Sequence, residues 1–189
     1  MNTTNIMIVG VGGQGSLLAS KLLGRLLLNE GYDVKVSEVH GMSQRGGSVV
    51  TYVRYGEKVY SPIIDKGEAD FIVSFEKLEA ARYVAFLKKD GKIIVNSQEI
   101  EPMPVITGAA EYPHAAIDNL IEKGMDIDCI DALTPALEAG SAKAVNIVLM
   151  GRLSKNLNIS EEKWIEALKQ TVAPKFVEMN LKAFKLGRA

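Results

Sequence analysis

Apolar and polar positions alternate along this chain with two different periods, and the change from one period to the other marks its elements. Ile6-Met7-Ile8-Val9 is a continuous apolar run closed by Gly10, the pattern of a strand buried on both faces. From about Ser16 to Asn29 the apolar positions Leu17, Leu18, Leu22, Leu23, Leu26 and Leu27 recur at helical spacing, and Glu30-Gly31 supplies the stop. Val34 to Val39 alternates and predicts a second strand.

A doubly wound fold would now enter another helix. Instead comes the polar, glycine-rich stretch Glu38 to Ser48, then Ser48 to Tyr55, rich in β-branched and aromatic residues, which predicts a third strand. Gly56-Glu57-Lys58 reads as a turn and Val59-Tyr60-Ser61 as a hairpin return. Alternation then resumes. Strands are predicted over Ala69–Phe75, Lys92–Asn96 (after a turn at Asp90-Gly91) and about Asp126–Ile130. Helices are predicted over Glu76–Leu87 and about Ala115–Glu122, with proline-marked irregular chain between at Pro102, Pro104 and Pro113. The last third is helical, over about Ala142–Leu157, Glu161–Val172 and Lys175–Lys185, with Ser160 as an N-cap. The expected fold is α/β, three-layer α/β/α, with a mixed, mostly parallel sheet, a Rossmann-like start and a helical C-terminal third, as a single domain over 1–189.

Composition narrows the function classes. At 189 residues, with 47% hydrophobic and 24% charged residues, the chain is long enough for a full core. A net charge of -1 lacks the basic excess of nucleic-acid binders. Met1 to Asn5 has no basic region, and no apolar run reaches the roughly 18 residues of a membrane span, so a cytoplasmic protein without a secretory signal or membrane partner is expected. The single cysteine, Cys129, excludes an internal disulfide and a four-thiolate cluster held by this chain alone. Its strand setting reads as a small core residue rather than a reactive thiol.

Two glycine-rich stretches carry the candidate chemistry. Gly10-Val11-Gly12-Gly13-Gln14-Gly15 closes the first strand and opens the first helix, and Gly10, Gly12 and Gly15 match the spacing of a dinucleotide fingerprint. Glycines there allow positive φ and close approach of backbone amides to an anion, which the helix dipole favours. Glu38, at the end of the second strand, stands where a ribose-binding acid would be expected. The missing helix after that strand counts against NAD or FAD, leaving an anion contact or a purely structural turn. No Gly-Lys-Ser or Gly-Lys-Thr follows, which excludes a P-loop.

In the second stretch Arg45 offers a planar fork of donors suited to carboxylate or phosphate, His40 can titrate near neutrality, and Ser43 and Gln44 add neutral hydrogen bonds beside Gly46 and Gly47. Ser43 lies in no nucleophile elbow, and His40 and His114 lack metal-ligand spacing. Asn146, amid apolar residues of a predicted helix, needs a partner if buried. Trp164 is expected to anchor the C-terminal helices.

Gly10 to Gly15 followed by Leu18-Ala19, together with Arg45-Gly46-Gly47-Ser48 and Lys143 to Gly151, resembles the gamma-type subunit or domain of the 2-oxoacid:ferredoxin oxidoreductases. Glu38 to Val49, Ser61-Pro62-Ile63-Ile64 and Phe75 to Ala80 resemble the small (beta) subunits of its indolepyruvate branch. The resemblance spans the whole chain. It implies a two-subunit enzyme that oxidatively decarboxylates aryl pyruvates to aryl-acetyl-CoA with ferredoxin as acceptor. It also implies a large (alpha) partner subunit holding thiamine diphosphate and the 4Fe-4S clusters. This chain would then bind no cofactor firmly and have no catalytic residue of its own. Gly10, Gly12, Gly13, Gln14, Gly15, His40, Ser43, Gln44, Arg45, Gly46 and Gly47 would face coenzyme A or the partner. The alternatives are a stand-alone Rossmann-type nucleotide-binding reductase and a scaffold of the same fold.

Overall fold

A computed structural model describes residues 3–40 and 47–189. Six strands form one mixed sheet: β1 (Thr4–Val11), β2 (Asp33–His40), β3 (Ser48–Gly56), β4 (Ala69–Ser74), β5 (Leu87–Asn96) and β6 (Asp126–Ile130), in the order β2-β3-β1-β4-β5-β6. β1, β4, β5 and β6 pair in parallel. β3 is antiparallel to both β1 and β2 and lies between them.

The period-two pattern sorts side chains to the two faces. Ile6 and Ile8 of β1, with Val53, Val73, Phe75 and Ile94, join one core cluster; Met7 and Val9, with Val50, Ile72, Ile93 and Val95, join the other. The first cluster is covered by α1 (Ser16–Asn29), α6 (Val145–Ser154), α7 (Glu161–Thr171) and α8 (Val177–Arg188). The second is covered by α2 (Lys77–Tyr83) and α4 (Ala116–Glu122). The three-layer expectation holds. Trp164 is fully buried and stacks on Phe184 with ring centroids 5.6 Å apart, as an anchor between α7 and α8. No helix among the described residues is long and apolar enough to cross a membrane.

Several expectations are corrected. Val59-Tyr60-Ser61 forms no hairpin return, because both edges of β3 are already occupied by β1 and β2. That segment is instead pinned as irregular chain: the Val59 N–H donates to Asp33 (2.9 Å), and the Arg54 guanidinium donates to the carbonyls of Ser61 (3.1 Å) and Ile63 (2.6 Å). Asp90-Gly91 is not a turn but an irregularity within β5, where a Cβ on Gly91 would lie 2.9 Å from the Ala69 carbonyl. The helix after β4 stops at Tyr83 and passes through a 3-10 turn, Val84–Phe86. Two short helices were not expected, α3 (Met103–Ile106) and α5 (Leu133–Ala139), and α6 is preceded by a separate 3-10 turn, Ala142–Ala144. Ser160 occupies the N-cap position of α7, yet its side chain makes no capping bond. Cys129 is exposed on the edge strand β6 rather than in the core, although partial burial still pushes its thiol pKa up.

Candidate functional site

The connection from β1 through α1 leads to one side of the sheet and β4 lies on the other, so the carboxyl ends of β1 and β4 flank a topological switch point, where α/β sheets open a crevice. The glycine turn stands there. Gly13 has φ +102° and Gly15 φ +88°, values that L side chains rarely adopt, and Gly15 is the N-cap of α1. Each of its residues has a distinct role.

Gly10 is buried and structural: a Cβ would lie 2.7 Å from the Gln14 Oε1 and 3.0 Å from the Phe75 Cβ. The Gln14 carboxamide is spent on the turn itself. Its Oε1 accepts from the Val11 N–H (2.8 Å), and its Nε2 donates to the Phe75 carbonyl (3.3 Å) and reaches the Gln98 Oε1 (3.5 Å). The Gly12 N–H donates to the Gly47 carbonyl (2.9 Å), which ties the end of the polar stretch to the turn. The Gly15 carbonyl accepts from the Asn146 Nδ2 (3.2 Å), a partner of the kind that burial of Asn146 requires. Four N–H groups, of Gly13, Gly15, Ser16 and Leu17, find no acceptor among the described residues. No acidic side chain lies in the first turn of α1 itself, although Glu38 of β2 lines the cleft in front of it.

Two clefts share this turn. One, of about 370 Å³, is lined by Gly12, Gly13, Ser16, Leu17, Glu38 and Val49. The other, of about 450 Å³, is walled by Leu18, Gln98, Leu133, Lys143 and Asn146 as well as Gly13 and Gly15. Asn146 is 3% exposed and its Oδ1 is buried without a hydrogen-bond partner among the described residues. Glu38 is not beside β1. With β3 interposed it stands two strand spacings away, about 10 Å, roughly twice the separation of adjacent strands.

His40 closes β2, its backbone paired with Val49. Its side chain, and Gly41 to Gly46 with the candidates Ser43, Gln44, Arg45 and Gly46, lie outside the described residues. The two ends of that stretch, β2 and Gly47, stand at the carboxyl edge of β1, where Val11 pairs with Ser48. The glycine turn and the two described ends of the polar stretch thus lie at one sheet edge.

A cluster that sequence reasoning missed supports the same edge. Glu76 and Glu79 are 1% and 2% exposed. The Glu76 carboxylate caps α2 by accepting from the N–H groups of Leu78 (2.9 Å) and Glu79, and the Tyr112 hydroxyl lies 3.3 Å away. Burial pushes its pKa up. Glu79 accepts from the Ser48 hydroxyl at the start of β3 and from Arg82 (2.9 Å). The spacing Glu76-x-x-Glu79 before an amphipathic run was the available signal, in the manner of a capping box. Nearby Glu99 joins Lys77 (3.0 Å) and the Nδ1 of exposed His114 (2.7 Å); these bonds, Lys77 first, hold the Glu99 carboxyl below the usual range. His114 lies on the surface.

Comparison with known proteins gives a consistent picture. Residues 5–189 match the family described as "Pyruvate ferredoxin/flavodoxin oxidoreductase". The "Indolepyruvate oxidoreductase subunit IorB" of Thermococcus kodakarensis is 45% identical over 192 residues, covering 99% of this chain and 95% of the relative, and that of Pyrococcus horikoshii has the same figures. Among solved structures, a keto/oxoacid ferredoxin oxidoreductase gamma subunit from Geobacter sulfurreducens superposes with a TM-score of 0.72 at 22% identity, covering 97% of this chain and 95% of that one. A 2-oxoglutarate:ferredoxin oxidoreductase from Magnetococcus marinus, with coenzyme A and succinyl-CoA bound, gives a TM-score of 0.75 at 20% identity. It covers 100% of this chain but 31% of its own.

Proposed function

Because the chain belongs to the pyruvate ferredoxin/flavodoxin oxidoreductase family, we propose that it is the small subunit of an indolepyruvate (aryl pyruvate):ferredoxin oxidoreductase. The observation that carries this reading is the 45% identity, over nearly the full length of both chains, to proteins named as a subunit of indolepyruvate oxidoreductase. In the reaction a 2-oxoacid loses carbon dioxide and two electrons, its acyl group passes to the thiol of coenzyme A, and ferredoxin takes the electrons.

The carbanion-stabilising and one-electron chemistry belongs to thiamine diphosphate and iron–sulfur clusters. Neither fits this chain. One cysteine cannot supply the thiolates of a 4Fe-4S cluster, and the sequence has no Gly-Asp-Gly followed by paired asparagines for thiamine. Both are therefore assigned to the large subunit.

Coenzyme A fits better. The four amides at the start of α1 that find no acceptor among the described residues, with Lys143 and the apolar wall of Leu18 and Leu133 in the adjoining cleft, offer donors for a phosphate group and surface for an uncharged chain. Gly13, Gly15 and Ser16 would donate, while Gln14 and Gly10 hold the turn in shape. The stand-alone dinucleotide reductase is disfavoured because β3 sets β2 two strands from β1, and Glu38, although it lines the first cleft with the glycine turn, accepts from the Thr51 hydroxyl (3.3 Å).

Reconstitution tests the reading. The chain alone should bind neither NAD nor FAD and show no turnover, and adding it to the large subunit should give indolepyruvate- and coenzyme A-dependent ferredoxin reduction. Turnover by the isolated chain, or a large subunit indifferent to its addition, would refute it. Arg45→Ala examines the polar stretch: unchanged KM for coenzyme A together with unchanged subunit affinity would remove Arg45 from both roles.

A further inference from the structure

Between β5 and α4 the chain leaves the sheet as an arm, residues 99–115, whose only helix is the single turn α3. Met103 and Ile106, three residues apart and so on one face of that turn, are 66% and 61% exposed, and Glu101, Thr107, Gly108, Ala109, Ala110 and Glu111 are exposed around them. A soluble surface tolerates scattered apolar side chains, but two large ones on one turn form an apolar knob at the wall of a cleft of about 170 Å³ shared with Leu78 and Arg82 of α2.

The knob is held rigid from behind. Pro102 opens α3, and the Thr107 hydroxyl donates to the Met103 carbonyl (2.9 Å). Buried Tyr112 reaches Glu76 (3.3 Å), and His114 joins Glu99 (2.7 Å). A segment fixed in this way loses little conformational entropy on docking.

Its charge is one-sided. The basic side chains near the arm are already engaged by other carboxylates: Lys77 and His114 by Glu99, and Arg82 by Glu79. Glu101 and Glu111 form no ion pair among the described residues, so the apolar knob is bordered by two free carboxylates.

We infer that Met103 and Ile106 are an anchor by which this chain docks onto its large subunit, entering an apolar socket edged by Lys or Arg side chains that face Glu101 and Glu111. This rests on the reading of the chain as a small subunit. Two observations favour that occupant over a second copy. Arms meeting about a two-fold axis would set Glu101 and Glu111 against their own copies, like charge against like charge. In the Magnetococcus protein the same fold is about a third of one longer chain, so there it sits in one polypeptide with further chain that a lone subunit lacks. The arm also follows the carboxyl end of β5, the edge that carries the glycine turn, so docking there would bring the large subunit to the open clefts.

The test measures affinity of the full chain for the isolated large subunit. Met103→Asp combined with Ile106→Asp should keep the wild-type melting temperature, since both side chains are already in solvent. It should weaken the complex at least about 30-fold, the loss of a buried hot spot, while turnover recovers at saturating small subunit. Glu101→Lys combined with Glu111→Lys should also weaken binding and abolish its fall with added salt. Tyr60→Glu, 88% exposed beyond the opposite end of β3, serves as the control and should bind normally. A folded knob variant that binds within about threefold of wild type overturns the proposal, given hot-spot costs. So does a wild-type chain that dimerises alone through the arm. If wild-type chain fails to bind the large subunit at all, the functional reading falls, and the arm's occupant with it. Tight wild-type binding with an indifferent knob variant removes the arm alone.

Discussion

Gly15→Ala is the most informative single change at the candidate site, because it acts on the turn through two separable mechanisms. Gly15 has φ +88°, where an L side chain costs about 1–2 kcal/mol. Its new Cβ would lie 2.6 Å from the Asn146 Nδ2, the atom that donates to the Gly15 carbonyl at 3.2 Å. Asn146 is 3% exposed and its Oδ1 has no partner among the described residues, so it has little room to yield. Pushing it aside breaks a buried bond and strands its donor, about 1–3 kcal/mol. Alanine's smaller unfolded-state entropy returns about 0.4–1 kcal/mol. The net loss should be about 2–4 kcal/mol, a fall in melting temperature of about 5–15 °C for a chain of this size. Scanning calorimetry on Gly15→Ala, Asn146→Ala and the double variant separates the mechanisms. Asn146→Ala removes the atom that the new methyl would strike, so the double variant should be less destabilised than the two single losses together, by about 1 kcal/mol. Additive losses would show that the contact with Asn146 carries no cost. A Gly15→Ala protein melting with the wild type would refute the whole argument.

Other consequences follow from the packing and the titrating groups. Gly151→Ala on α6 would set a Cβ 2.2 Å from the Phe184 carbonyl and 3.1 Å from the Arg188 nitrogen, so the usual helix-propensity gain should reverse to a loss of about 1–3 kcal/mol; a raised melting temperature would refute this. Glu99, held below the usual carboxylate range by Lys77 and His114, contributes stability that is present above about pH 4.3 and is lost as pH falls through its lowered pKa. Glu76, raised by burial, has the opposite sign: its contribution is complete below about pH 4.3 and is lost as pH rises through its raised value. Glu99→Gln should therefore flatten the acid limb of a melting-temperature profile and Glu76→Gln steepen it, and equal effects of both would refute the assignment. Cys129 should react with a thiol reagent in the folded protein, since it is exposed, but with a rate midpoint above that of a free thiol, near 8.5.

Legibility in the sequence followed the range of the interactions. β1, α1, β2 and β6 were readable because an apolar period with a glycine or polar boundary is a local signal, and each appears within two residues of its expected limits. The hairpin at Val59 was misread because whether β3 has a free edge depends on β1 and β2 together, which no local window contains. Cys129 was placed inside for a similar reason: its apolar neighbours Ile127 and Ile130 suggest a central strand, whereas β6 is an edge. α5 lacks a clear start signal, its Leu133-Thr134-Pro135 reading as a loop until the Asp131 carboxylate is seen accepting from the N–H groups of Leu133 and Thr134. At the site, the glycines and their strand-to-helix setting were legible, but the division of labour among them was not. That Gln14 is spent within the turn depends on Phe75 and Gln98, 61 and 84 residues away along the chain.

The antiparallel strand β3 explains why a dinucleotide-like fingerprint here need not bind a dinucleotide. In an alternating βαβ unit the second strand lies against the first, and its terminal acid is one strand spacing from the glycine turn, within reach of a ribose whose phosphates rest on that turn. Inserting β3 doubles that spacing for Glu38 and places Gly47 against Gly12 instead, so one amide that could meet a pyrophosphate is consumed by the protein. What remains is a shorter row of donors, from Gly13 to Leu17, open on two sides. Such a shelf suits one terminal or bridging phosphate of a ligand whose remainder is held elsewhere, and it leaves the other walls to be supplied by another chain. The same insertion brings the two described ends of the polar stretch, at His40 and Gly47, to the carboxyl edge of β1. One extra strand thus leaves a short row of donors which, under the proposed reading, would form one side of a site completed by the large subunit.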